Sequence, residues 1–115
     1  MPWEILIHSE VAIWLDELPQ SSYERVIVTL DALRHSGPTL GRPLVDRMKD
    51  SKFHNLKELR PLGTSLRILF AFDFKRRAVL LVAGDKSRDW RDWYKKDIPI
   101  AEVRFQELLN DSKEE

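Results

Sequence analysis

Cysteine is absent from the 115-residue chain, so neither disulfides nor thiolate metal sites enter its chemistry. Glycine is scarce, with four residues, and none forms a phosphate-cradling loop behind a strand. No serine sits in a nucleophile elbow. The three histidines, His8, His35 and His54, lack the i, i+4 spacing of a zinc-binding helix, and no acidic triplet resembles a calcium loop. No metal or other cofactor is therefore expected. Long apolar runs are missing too. Nothing approaches the roughly 20 residues of a membrane span, and Met1-Pro2-Trp3-Glu4 lacks the basic start of a signal peptide. The expectation is a soluble, cytoplasmic protein that does not engage a membrane.

What is present suffices for one folded unit. Apolar residues make up 43% and charged residues 33% of the sequence, an ordinary globular balance, and residues 1–115 read as a single domain. The formal net charge is zero but unevenly spread. Between residues 40 and 99, fifteen Lys and Arg face eight Asp and Glu, whereas the rest of the chain holds four against eleven. A segment sorted this way attracts polyanions, although a solvated surface with acidic ends gives the same count.

The strongest pattern lies at 52–86, where strand-like runs at 52–60, 65–74 and 78–85 are separated by short turns. Short turns favour antiparallel hairpins, because parallel neighbours need a long crossover. In the middle run Leu66, Ile68, Phe70, Phe72 and Phe74 share one face, and Arg67 points the other way with Leu69 and Ala71. A guanidinium on so apolar a strand is the first functional clue.

Before these runs, residues 3–7 are β-prone. Ser9 is a plausible N-cap for a helix carrying Val11, Trp14, Leu15 and Leu18, ended by Pro19. Ser21 with Glu24 matches a capping box opening a second helix, whose stripe is Tyr23, Val26, Ile27, Leu30 and Leu33, stopped at Gly37-Pro38. Residues 39–51 read as a loop. After the sheet come a turn with a short helix, then a last helix opened by Pro99 and striped with Ala101, Phe105, Leu108 and Leu109. The predicted class is α+β: a mostly antiparallel sheet of about four strands, an N-terminal helical hairpin on one face, and a C-terminal helix. The face away from the hairpin is expected to be at least partly open.

The chemistry-bearing residues cluster on or beside the central strands: Lys57, Arg60, Arg67, Lys86, Arg88, Trp90, Trp93 and Tyr94. Three stretches carry a resemblance. Leu56-Lys57-Glu58-Leu59-Arg60, then Leu66-Arg67-Ile68-Leu69-Phe70-Ala71-Phe72, then Ala78-Val79-Leu80-Leu81-Val82-Ala83-Gly84-Asp85-Lys86 resemble the RelE/ParE toxin superfamily, in its phage-derived HigB-like branch. The helices before and after the sheet also fit, so the resemblance spans nearly the whole chain. It implies a RelE-like fold and the toxin of a type II toxin–antitoxin pair. RelE-like members are ribosome-dependent endoribonucleases that cut messenger RNA without a metal, by attack of a 2′-hydroxyl on the neighbouring phosphate.

On that resemblance Arg67, Lys57, Arg60, Lys86 and Tyr94 are the candidate catalytic residues, and His54, Arg88 and Trp90 the candidate RNA contacts. Arg67 offers a planar fork for phosphate oxygens, and an aromatic near Tyr94 can stack an unpaired base. The general base stays open among His54, Lys57, Lys86 and Tyr94. Lys57 and Arg67 are expected on one open face. Lys57 and Arg60 have opposite parity, so both reach that face only if Arg60, next to Pro61, sits past the strand's end or beside a bulge. Each residue also has a structural reading: Arg67, Lys57 and Arg60 as ion-pair partners of Glu58, Lys86 and Arg88 as turn charges, Trp90 and Trp93 as packing residues, and His54 as a partly buried polar group. The implied partners are a HigA-like helix-turn-helix antitoxin, the ribosome and messenger RNA, with oligomeric state open. The alternatives are a ParE-like, protein-binding poison of gyrase and an inactive homologue that only binds antitoxin.

Overall fold

A computed structural model describes residues 2–87 and 90–114. The order is β1 (Glu4–Ile7), α1 (Ser9–Asp16), α2 (Gln20–Ser36), β2 (Val45–Arg47), β3 (Leu56–Leu59), β4 (Leu66–Phe72), β5 (Arg77–Asp85) and α3 (Trp90–Glu114). The strands form one five-stranded sheet in the order β1-β5-β4-β3-β2. Ladders β2–β3, β3–β4 and β4–β5 are antiparallel, as short turns require, and β1 joins the far edge parallel to β5. The helical hairpin between them supplies part of the crossover that a parallel pair needs.

Alternation along β4 divides the core in two. Leu66, Ile68 and Phe70 face the hairpin and pack with Val11, Leu15, Val26, Leu30 and Leu33. Leu69 and Ala71 face the other way, where Leu56, Val79, Leu81 and Val82 meet Ile98, Ala101 and Phe105 of α3. Burying a side chain such as Phe70 contributes about 1.5–3 kcal/mol. The β4–β5 register slips between Leu69, opposite Val82, and Phe70, opposite Leu80. The extra residue lets Leu81 and Val82 both serve the α3 side.

Several expectations are corrected. The face opposite the hairpin is not left bare, because α3 packs across it. Residues 45–47 form an edge strand inside the predicted loop. Phe74 lies past the end of β4 and is 76% exposed. Tyr23 and Ile27 are about two-fifths exposed, and the buried stripe of α2 is Val26, Thr29, Leu30 and Leu33. The cap of α1 is His8, whose Nδ1 accepts from the Glu10 N–H at 3.1 Å, and α2 starts after Pro19 with no side-chain cap. Pro99 does not open a helix but sits inside α3. Pro99 and Lys95 are both exposed, so water can satisfy the carbonyl that proline's missing N–H leaves free. At Gly37 the chain ends α2 at φ 59°, with the Trp3 indole so close that a Cβ would collide with it. No helix among the described residues is long and apolar enough to cross a membrane.

Candidate active site

Where β3 ends and β4 begins, the α3 side of the sheet holds a knot of charge centred on Glu58. Glu58 shares the face of Leu56 and has no exposed surface. Arg60 lies one residue past β3, two places from Glu58 and so on the same face, and donates its Nε–H to Glu58 Oε1 at 2.7 Å. Its Nη2 reaches Asp46 of β2 at 3.3 Å, and Asp46 also holds Arg42 at 3.1 Å. Burial opposes the charge of Arg60, but its hydrogen bond to Glu58 and the nearby carboxylates outweigh that and raise its pKa. The Arg47 N–H first, and the two arginines after it, hold Asp46 below the usual carboxylate range against the pull of burial.

Arg67 enters the same knot from β4. Its Nε lies 3.7 Å from Glu58 Oε1, an ion pair too long to be a hydrogen bond, and its side chain is 15% exposed. Nη1 donates to the carbonyls of Leu66 at 2.7 Å and Thr64 at 3.4 Å, which aims the guanidinium along the strand end. Lys86 follows β5 and donates its N–H to the carbonyl of Ser65, the residue before β4. Lys86 Nζ donates to the Tyr94 hydroxyl at 3.2 Å. Burial and then the charge of Arg67 lower the Lys86 pKa. Tyr94 lies in the first turns of α3; burial first, and then the Glu58 carboxylate, push its phenol up to about 12.

The knot opens into a groove of about 670 Å³ between the β2 region and α3, whose walls include Arg42, Lys49, Arg60, Tyr94 and Lys95. The arrangement offers cationic hydrogen-bond donors to an anion, a lysine with weakened hold on its proton, and a phenol kept protonated.

Four of the five candidate catalytic residues therefore meet: Arg60, Arg67, Lys86 and Tyr94. Lys57 does not. It stands opposite Phe70 in the ladder, with its ammonium 5.3 Å from the Phe72 ring centre and 3.5 Å from the Pro38 carbonyl. Phe70 and Phe72 pack with the hairpin, so Lys57 and Arg67 are on opposite faces and the expected shared face is overturned. Arg60 is past the strand's end yet does not share a face with Lys57; it has the parity of Glu58 and lies beside it. His54 is exposed before the start of β3, at the other end of that strand from Arg60. Arg88 and the side chain of Trp90 lie outside the described residues. Sequence reasoning offered Glu58 as the ion-pair partner of Arg67, Lys57 and Arg60. The two arginines do pair with it and Lys57 does not, while its full burial and Asp46 as the neighbouring acid were missed. The signal for Glu58 was parity: an acid two places from Leu56, with a buried leucine's face to share.

Comparison with known proteins supplies the rest. A family model described as Phage derived protein Gp49-like (DUF891) matches residues 13–106. "Putative toxin HigB3" of Mycobacterium tuberculosis is 49% identical over 105 residues, covering 91% of this chain and 92% of that protein. "Putative toxin HigB2" of the same organism is 42% identical over 102 residues, covering 86% of this chain and 51% of that longer protein. Among solved structures, the archaeal RelE–RelB complex from Pyrococcus horikoshii superposes with a TM-score of 0.62 at 21% identity, over 76% of this chain and 99% of that one. The isolated Escherichia coli RelE toxin gives 0.62 at 8% identity, over 82% and 97%.

Proposed function

This chain belongs to the phage-derived Gp49-like family, a HigB-like branch of the RelE toxins, and from that premise we propose that it is the toxin of a toxin–antitoxin pair that cuts messenger RNA on the ribosome. The convergence of Arg60, Arg67, Lys86 and Tyr94 beside one groove carries this reading. Phosphate oxygens meet the two guanidiniums, which stabilise the charge that builds as the 2′-oxygen attacks phosphorus. Lys86, its proton affinity lowered, takes the proton of that hydroxyl. Tyr94, held protonated, gives one to the departing 5′-oxygen, which is far more basic than a phenolate. The Lys86–Tyr94 hydrogen bond then returns a proton to the phenol, and the strand is left with a cyclic phosphate on one piece and a free hydroxyl on the other. Each step uses a side chain of the knot, and none requires Lys57.

One observation favours the protein-binding alternative, a gyrase poison: Lys57 is across the sheet, and Glu58 already answers the charge of both arginines. Expression in cells separates the two readings. Mapping new messenger RNA ends is expected to give codon-phased cuts, which Arg67→Ala abolishes while the variant stays folded by circular dichroism. DNA breaks at gyrase sites without RNA cuts would replace the nuclease with the poison, and full RNA cutting by folded Arg67→Ala removes Arg67 from the mechanism.

A further inference from the structure

On the other flank of α3 lies a second groove, about 450 Å³, of contrasting chemistry. Glu10, Ile13, Trp14 and Glu17 form one wall, a single stripe of α1 at i, i+3, i+4, i+7. Trp93, Lys96, Asp97, Ile100 and Arg104 of α3 form the other, and Val82 to Asp85 of β5 the floor. Trp93 rests directly on Gly84, where a Cβ would strike its indole nitrogen, so the aromatic wall is fixed against the sheet.

Glu10 and Glu17 alone are solvated acids of an ordinary kind. Asp97 is not. It is 8% exposed, yet among the described residues it has neither a hydrogen bond nor an ion pair. Burial raises its pKa, which the more distant charges of Lys96 and Arg104 only partly offset. Arg104 is turned away to donate to the Leu81 carbonyl at 2.7 Å. Lys96 and Arg104 line the groove too, but neither is bonded to Asp97, and with Glu10, Glu17 and Asp85 the acids outnumber them. A buried carboxylate left unpaired beside two tryptophans is suited to receive a cation from outside.

We propose that this groove is where the antitoxin docks, with a basic segment that sets one arginine or lysine against Asp97 and lays its apolar neighbours on Trp14, Ile13 and Trp93. This rests on the toxin–antitoxin reading above. The acidic wall repels a polyanion, so the occupant is a polypeptide and not RNA. The groove is separate from the Glu58 knot and adjoins it through Trp93, whose ring meets Tyr94 edge-on at 5.1 Å, so an antitoxin seated here flanks the candidate active site.

Titration calorimetry of the full chain with its purified cognate antitoxin tests the proposal. Asp97→Asn removes an unpaired buried charge and so is expected to fold at least as well as the native chain. It weakens binding at least about tenfold, and so does Glu17→Lys at the exposed end of the stripe. Glu24→Lys on α2, outside the groove, leaves affinity unchanged, and RNA cutting by the free protein is unaltered in all three. Native affinity in folded Asp97→Asn and Glu17→Lys overturns the docking site. So does a self-association of the free chain that Asp97→Asn abolishes with antitoxin affinity intact, because the occupant is then a second copy. If the native chain binds no antitoxin at all, the toxin–antitoxin reading falls and the docking site with it, a result distinct from equal binding by native and variant.

Discussion

A carboxylate with no exposed surface persists in a strand only where cations and donors meet it. Glu58 is met at Oε1 by Arg60 at 2.7 Å and by Arg67 at 3.7 Å, while Oε2 has no hydrogen-bond partner among the described residues. Deleting it leaves two guanidiniums side by side with their shared counter-charge gone. Glu58→Ala is therefore expected to lose about 3–5 kcal/mol in urea unfolding, as buried pairs do when one partner is removed. Glu58→Gln keeps the volume and an acceptor oxygen, and loses less. The phenol reports the same change independently of stability. Tyr94 titrates near 12 against a usual 10.0, mainly through burial and then through Glu58. Because its folded value is the higher one, its contribution to stability is whole below pH 10.0 and disappears as pH climbs towards 12. In Glu58→Gln the absorbance titration of Tyr94 is expected to move down towards 10.0. A titration that does not move means that the carboxylate is not what holds the phenol protonated.

The strands and helices were legible wherever one period ran unbroken. The parity of β4 from Leu66 to Phe72 is visible in the chain, and so is the stripe of α1, while that of α2 was legible at Val26, Leu30 and Leu33 but not at Tyr23 and Ile27. Misreadings arose at element ends, where short-range signals compete. Val45–Arg47 pairs with β3 because Asp46 and Arg60 meet across the edge, a tertiary contact that no local window contains. Pro99 resembles a helix start, yet Ile98, Ala101 and Phe105 all need to reach the same sheet face, and their burial carries α3 through the proline. At α1 a serine was the obvious cap, but chain geometry gave the role to His8, whose backbone N–H is already fixed to Leu80 O. This cap has a pH dependence that serine would lack. Nδ1 accepts only while unprotonated, and burial, then Arg104, lowers the His8 pKa below 6.5. The sign is that of a group that prefers to be neutral when folded: stability is full above pH 6.5 and is lost as pH falls through the folded value. His8→Asn, which caps with an amide oxygen, is expected to flatten this acid limb in thermal melts between neutral pH and about pH 5. A limb as steep as in the native chain means that other groups produce it.

Across the whole molecule, charge sorting along the chain became sorting in space, and α3 is the divider. On the groove beside the Glu58 knot the bases, among them Lys49, Lys95, Arg42 and Arg60, outnumber Asp46, Asp50 and Glu102, while on the opposite flank Glu10, Glu17, Asp85 and Asp97 outnumber Lys96 and Arg104. The first group was legible as an excess of basic residues between 40 and 99. The second was not, because Glu10 and Glu17 stand at least eighty residues before Asp97, and only the packing of α1 and α3 over β5 brings them together. If the basic groove tracks a nucleic-acid backbone, affinity has a definite salt signature. For a single strand, log K falls with log salt by about 0.7 for each phosphate neutralised. Anisotropy titrations with a 2′-O-methyl RNA, which has no free hydroxyl to attack with, measure binding without cutting. Lys49→Ala is expected to make the slope shallower by about 0.7, as one phosphate contact is lost, and Glu17→Lys to leave it as it was. An affinity indifferent to salt in the native chain would mean that the groove reads something other than a polyanion. The gathering of Arg60, Arg67, Lys86 and Tyr94 at its mouth would then need a protein target.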